Sequence, residues 1–231
     1  MSFVQGATVA LVHGAWADGS CWQDIILPLQ REGLDVTCAQ IPLTSLSDDI
    51  AALERTLERK NGPILVVGHA YGGAVIAGPR NGQVRGLVYV AALAPAEGET
   101  VGDVFYRAKP HPEAPQVQPD AHGFVWMPEG GFARAVAHTA PKDRTAILET
   151  VQRPIALKCI QETAPLPSWK AKPTWYLLAE QDRMIPPETQ RFMAERMGAK
   201  VRAYDVDHSP MYTASDAVVG VILEAAREAL T

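Results

Sequence analysis

Ile64-Leu65-Val66-Val67-Gly68-His69-Ala70-Tyr71-Gly72-Gly73 is an apolar run that turns sharply at glycines, with the spacing of a nucleophile elbow. A Gly-x-Ser-x-Gly elbow lifts a hydroxyl above a sheet, and the small residues on either side let strand and helix pack closely. Gly68 and Gly72 keep those places, but the nucleophile position holds Ala70. A methyl group cannot attack a carbonyl, so the segment has the frame for acyl chemistry without its reactive atom. A second apolar run, Val9-Ala10-Leu11-Val12, leads into His13-Gly14-Ala15-Trp16, a strand-to-loop turn whose backbone is suited to face a site above the same sheet. Taken alone, that turn is equally a tight connection with a packed tryptophan.

Positioning these segments requires an ordered sheet. Apolar strand patterns recur at 7–12, 36–39, 64–67, 84–90, 174–178 and 200–205, with helical patterns between most of them. That alternation predicts an α/β fold with a mostly parallel six-stranded sheet flanked by helices. Ser20 opens a Ser-x-x-Gln capping box, after which Trp22, Ile25, Ile26 and Leu29 continue at helical spacing until Gly33. A second helix starts near Ser45 or Ser47 and presents Ile50, Leu53 and Leu57 on one face. Pro187 and Gly198 bracket a third, which carries Phe192, Met193 and Met197. Val218, Ile222, Ala225 and Ala229 mark the last. Residues 95–173 hold eleven of the eighteen prolines and show no strand rhythm. Proline at that density favours short segments and turns, with short helices expected at 99–107 and 142–151. The expected organisation is therefore a core of residues 1–94 and 174–231, with 95–173 inserted as a helical cap.

A chain of 231 residues that is 47% hydrophobic suits one such domain. Its formal charge of −5 and the lack of any Lys or Arg run argue against nucleic acid and anionic membrane surfaces as partners. A small molecule is the expected partner. No basic segment followed by a long apolar one opens the sequence, so the expected location is cytoplasmic. Cys21, Cys38 and Cys159 are odd in number and form no Cys-x-x-Cys pair, which disfavours a disulfide framework or a zinc site and predicts buried thiols. Without a nicotinamide signature, a phosphate loop or a convincing metal cluster, the expected chemistry uses neither cofactor nor metal.

Two late segments complete the pattern: Leu177-Leu178-Ala179-Glu180-Gln181-Asp182-Arg183-Met184-Ile185-Pro186 and Val206-Asp207-His208-Ser209-Pro210. With the His-Gly-Ala turn and the elbow, they make the chain resemble the α/β-hydrolase superfamily over essentially its full length, more weakly in 95–173. The likeness is to the compact plant methylesterase and hydroxynitrile lyase branch and its bacterial relatives. That resemblance implies that Asp182 is the triad acid, with Glu180 the weaker candidate, and that His208 is the base. The order Ala70, Asp182, His208 then matches nucleophile, acid and histidine. It also implies that the amides of Ala15 and Tyr71 form an oxyanion hole, where one lost donor costs about 3 kcal/mol.

Other residues carry weaker signals. His69 is expected to point away from the site and support backbone packing. Cys21, at a helix start, is a remote substitute nucleophile and more simply a buried thiol. Trp16, Tyr106, Phe124, Trp126 and Met127 offer apolar and aromatic surface for a substrate of similar character, although each is also an ordinary core candidate. Three functional readings stay open on these residues. One is a serine ester or related acyl hydrolase with its nucleophile replaced by Ala70. Another is a serine-less lyase or isomerase in which His208 is the general acid or base. The third is a small-molecule binding protein without turnover.

Overall fold

The structure, a computed structural model, describes residues 3–231. Its strands are β1 (Thr8–Val12), β2 (Asp35–Ala39), β3 (Ile64–His69), β4 (Val84–Val90), the two-residue pieces β5 (Phe124–Val125) and β6 (Ile155–Ala156), then β7 (Thr174–Ala179) and β8 (Lys200–Tyr204). Six of them form one sheet in the order β2-β1-β3-β4-β7-β8. Every pairing within it is parallel, so "mostly parallel" understated the sheet.

Parallel strands covered on both faces need apolar residues at successive positions, because their side chains alternate between the faces. In β1 all five residues are buried. Val9 and Leu11 meet helices α1 (Gln23–Arg31) and α9 (Ser215–Ala229) through Ile25, Leu29, Val218 and Ile222. Ala10 and Val12 join the opposite layer, with Leu53 of α2 (Leu46–Leu57), Ala74 of α3 (Gly72–Ile76) and Met193 of α7 (Pro187–Met197).

Helix boundaries follow local chemistry. Ser45 caps α2 by accepting from the Asp48 amide, one of the two starts expected from the sequence. The expected Ser20 box does not form. The Asp18 carboxylate instead accepts from the Ser20 amide and caps a 3-10 turn at Gly19–Trp22, and α1 begins only at Gln23. Pro187 opens α7, and Gly198 ends it in a left-handed conformation. Between β4 and β7 lie only short pieces: α4 (Val101–Phe105), a π-helical turn at Phe132–Val136, α5 (Lys142–Val151), α6 (Leu157–Gln161), a 3-10 turn at Ser168–Lys170, and the antiparallel β5–β6 pair. The C-terminal loop region adds α8 (Pro210–Thr213) before α9. Among the described residues, no helix is long and apolar enough to cross a membrane.

The strand-to-helix turn at β3–α3 leaves no room for side chains on its flanking glycines. A Cβ on Gly68 would sit 2.7 Å from the Gly72 carbonyl oxygen, and one on Gly72 would sit 2.7 Å from the carbonyl oxygens of Val12 and His13. These neighbours are backbone and cannot swing away. Gly68→Ala and Gly72→Ala should therefore each lower unfolding stability by about 1–3 kcal/mol through overpacking, as measured by urea denaturation. A neutral result at either position would contradict this packing.

Candidate active site

β3 delivers Ala70 at its C-terminal end, and the chain reverses there with φ 49°. A left-handed backbone is uncommon for a residue with a Cβ and marks a strained turn. Hydrogen bonds hold it: the Ala70 amide donates to Val90 at 3.3 Å, and its carbonyl accepts from Leu93 at 2.9 Å and Gly73 at 3.1 Å. The elbow thus keeps the backbone of a nucleophile turn with a methyl group at its apex.

β1 delivers the facing turn. A Cβ on Gly14 would lie 2.9 Å from the Ala70 Cβ, so glycine is what allows the two turns to approach. Among the described residues, the amides of Ala15 and Tyr71 donate to no backbone carbonyl. Both residues line a cavity of about 460 Å³ that opens over Ala70 and His208. Two unpaired donors flanking the elbow are the arrangement that receives a developing oxyanion.

The loop after β7 carries Asp182, which is 2% exposed and accepts four hydrogen bonds. Amides of Met184 and Ile185 donate to one oxygen at 2.7 and 2.8 Å. The other oxygen accepts from Gln190 Nε2 at 2.8 Å and from His208 Nδ1 at 2.7 Å. That last bond fixes the tautomer, leaving His208 Nε2 as the imidazole's acceptor in the neutral form. Glu180 does none of this; it is a half-buried partner of Arg191.

His69 differs from expectation. Its ring lies beside the His208 ring, with centroids 4.9 Å apart, and its Nε2–H donates to the His208 carbonyl at 2.8 Å. The side chain is turned toward the histidine loop because β3 ends at the elbow and the loop after β8 crosses directly over it. Burial and the adjacent His208 pull the His69 imidazole down to about 3, and burial pulls His13 down to about 4. Both rings are neutral at ordinary pH.

A second device was invisible in the sequence. Asp207, fully buried, accepts from the Ser209 amide at 3.1 Å and the Thr213 hydroxyl at 2.9 Å through one oxygen. Through the other it accepts from the amide and hydroxyl of Thr139 at 3.0 and 2.7 Å. Arg183 Nη1 likewise donates to the Arg134 carbonyl at 2.9 Å. Residues 134–139 are thereby tied to the loops on either side of the Asp182–His208 pair. Their partners lie roughly 50 to 70 residues away, and no local motif announces them.

Of the five expected substrate contacts, Trp16 and Tyr106 line the 460 Å³ cavity. Phe124 packs against the core and Met127 is buried in it. Trp126 is exposed, with its indole donating to Asp120 at 3.2 Å. Strand alternation explains the neighbouring result: in β5 it is Val125, not Phe124, that reaches the cavity. Pro110, Pro112, Pro115 and Pro119 form one wall, and no Asp, Glu, Lys or Arg side chain lines it among the described residues. A smaller cavity of about 50 Å³ lies on the other side, and Ala15, Trp16, Ala70 and His208 border both. Cys21 lines the smaller one, but burial raises its thiol well above the ordinary value, which opposes thiolate formation. Cys159 is buried and Cys38 is only half-buried.

A buried neutral histidine makes stability depend on pH. Below pH 6.5 the unfolded chain protonates His69 while the folded one does not until about 3, so stability falls as pH falls across that window. Between pH 6 and 4 the parent should lose about 1.4 kcal/mol per pH unit relative to His69→Gln. Urea denaturation across this range measures it; parallel curves for the two proteins would show that His69 is not held neutral.

The profile described as the Alpha/beta hydrolase family matches residues 9–221. A carbendazim hydrolyzing esterase from Nocardioides sp. (strain SG-4G) is 31% identical over 119 residues, which is 45% of this chain and 49% of that protein. The aligned part thus spans about half the length of that curated relative. Polyneuridine aldehyde esterase superposes with a TM-score of 0.83 at 15% identity, covering 96% of this chain and 99% of that one. A pyrethroid hydrolase from Sphingobium faniae JZ-2 does so at 0.82 and 20% identity, covering 96% and 97%. At such identities these likenesses speak for the fold, which the six-stranded sheet and its elbow also display. The profile runs from β1 into α9 and takes in each of the four loops that meet at Ala70, and the chain belongs to the alpha/beta hydrolase family.

Proposed function

We propose that this protein is a carboxylic-ester-type acyl hydrolase scaffold in which Ala70 stands at the nucleophile position. Asp182 orients His208 as the base, and the amides of Ala15 and Tyr71 act as the oxyanion pair. Residues 95–173 serve as the cap, with Trp16 and Tyr106 among the contacts to an uncharged apolar or aromatic substrate. The supporting observation is the Asp182–His208 bond of 2.7 Å, aimed at an elbow that keeps φ 49° without its hydroxyl. The esterase likeness of the curated relative agrees with it.

In this reading the ester carbonyl sits over the Ala70 methyl with its oxygen toward the two amides. No acyl-enzyme forms at the elbow, because the side chain of residue 70 carries no oxygen to attack. Hydrolysis by the chain as it stands requires water as nucleophile: His208 Nε2 takes a water proton as the oxygen bonds to the carbonyl carbon, and returns it to the departing alkoxide. Losing a serine nucleophile lowers turnover by about a millionfold, while oxyanion donors and binding retain roughly 10³–10⁴ over the uncatalysed rate. The apolar, charge-free cavity of about 460 Å³ suits a neutral ester and penalises a buried carboxylate.

Restoring the hydroxyl tests the reading. Ala70→Ser should raise kcat/KM for neutral p-nitrophenyl esters by at least about a thousandfold, and adding His208→Ala should remove the gain. No gain in Ala70→Ser overturns the acyl-hydrolase reading. If the parent instead turns over a substrate by elimination or isomerisation, and His208→Ala abolishes it, the chemistry is direct proton transfer at His208.

A further inference from the structure

Trp16 occupies an unusual place. Its φ of 60° lies in the left-handed region, where a bulky residue is a genuine outlier and is strained. Such a conformation persists only where the surroundings over-determine it. Here both polar ends of the residue are held from across the sequence. The indole Nε1–H donates to the Val125 carbonyl at 3.0 Å, and the Trp16 carbonyl accepts from the Arg153 amide at 3.4 Å. Arg153 is itself anchored to the core, its Nη1 donating to the Ile41 carbonyl at 3.3 Å. The ring packs against the buried cluster that contains Val125 and Ile155. Val125 belongs to β5, and Arg153 lies two residues before β6, so the β5–β6 pair of the 95–173 segment grips the turn from two sides.

Trp16 is also where the two cavities meet, since it borders both. A ligand in either one presses on the residue that follows Ala15. Shifting Trp16 shifts the peptide that joins it to Ala15 and re-aims the neighbouring amide, and charge stabilisation by such a donor is sensitive to small displacements.

We propose that Trp16 is a positioning residue, gripped by the β5–β6 pair, that sets the Ala15 amide in the oxyanion pair and so makes that amide depend on how residues 95–173 are seated. This rests on the assignment of Ala15 and Tyr71 as oxyanion donors. Its consequence is that the 95–173 segment does more than enclose substrate: it completes one of the two donors.

The test replaces the indole donor and reads the Ala15 amide directly. In the parent chain, with Ala70 unchanged, butyramide supplies a neutral carbonyl oxygen for the two amides, and ¹⁵N–¹H spectra should show both the Ala15 and Tyr71 resonances moving. In Trp16→Phe the Tyr71 response should persist and the Ala15 response should be lost or at least halved. The analogue with benzothienylalanine at position 16 keeps the ring shape without an N–H donor and should behave the same way, which covers the case where Trp16→Phe folds poorly. In the Ala70→Ser background the same changes should lower kcat about tenfold or more, with KM for a short ester nearly constant. Butyramide that moves neither amide in the parent, or an Ala15 response that survives loss of the indole donor, overturns the proposal. If Ala70→Ser is inactive but the Ala15 response is selectively lost, the hydrolase reading fails and the positioning role stands.

Discussion

Backbone contact at the elbow is the constraint on which the rest of the site depends. Gly68 and Gly72 bring β3 and α3 against each other, and Gly72 also lies against the carbonyls of Val12 and His13. β1 and β3 are adjacent in the sheet, with Val12 paired to Gly68, so the turn after β1 and the elbow after β3 emerge side by side. That adjacency places Ala15 and Tyr71 on either side of residue 70. A side chain at either glycine would push the two turns apart, and with them the amides of Ala15 and Tyr71. Packing of this kind tolerates little adjustment, because interiors are close to crystal density.

The other half of the site is held by buried hydrogen bonds rather than by apolar packing. Asp182 and Asp207 are both buried and both accept four bonds, so neither oxygen of either carboxyl is left without donors. A half-satisfied network in this position would be more destabilising than an apolar core. His69 adds a bond to the His208 main chain, fixing the loop as Asp182 fixes the ring. Tyr71 is tied in the same way: its hydroxyl donates to the buried Asp49 at 2.6 Å, and Asp49 also accepts from the Leu43 amide at 2.7 Å. Burial holds the Asp49 carboxyl above its ordinary value, and the donors around it offset this only in part. The elbow and the histidine loop are therefore secured by separate polar clusters, each reaching into a different element.

Much of this was legible in the chain because it is local. Strand runs, the elbow glycines, Pro187 and Gly198 are short-range signals, and the order Ala70, Asp182, His208 follows the order of the strands that carry them. The preference for Asp182 over Glu180 came from the family resemblance, and it is Asp182 that accepts from His208 Nδ1. What could not be read depends on contacts between distant residues. Asp207 looks like an ordinary loop aspartate until Thr139 arrives from the segment between β4 and β7. His69 does support backbone, as expected, but its ring lies beside His208 rather than away from it, because the carbonyl it bonds is in the loop after β8, 139 residues on. The Ser20 box failed to a nearer competitor, since Asp18 accepts the Ser20 amide at 2.7 Å and starts the turn early. Phe124, Trp126 and Met127 are aromatic or apolar in the right region, but composition does not say which face of a two-residue strand meets a cavity.

Alanine at residue 70 can be weighed in the same terms. If the position served only to turn the chain, glycine would adopt φ 49° without the penalty a Cβ incurs. If it served only to fill space, the bordering cavities would not both reach it. The methyl instead forms an apolar floor between His208 and the paired amides, at the apex where a side-chain oxygen would stand. Strain at this turn is maintained by the Val90, Leu93 and Gly73 hydrogen bonds, which are backbone contacts that do not depend on the side chain at 70. The turn is therefore indifferent to the side chain at 70, and in the proposed hydrolase reading an added Oγ would meet this backbone geometry, His208 and the amides of Ala15 and Tyr71 already in place.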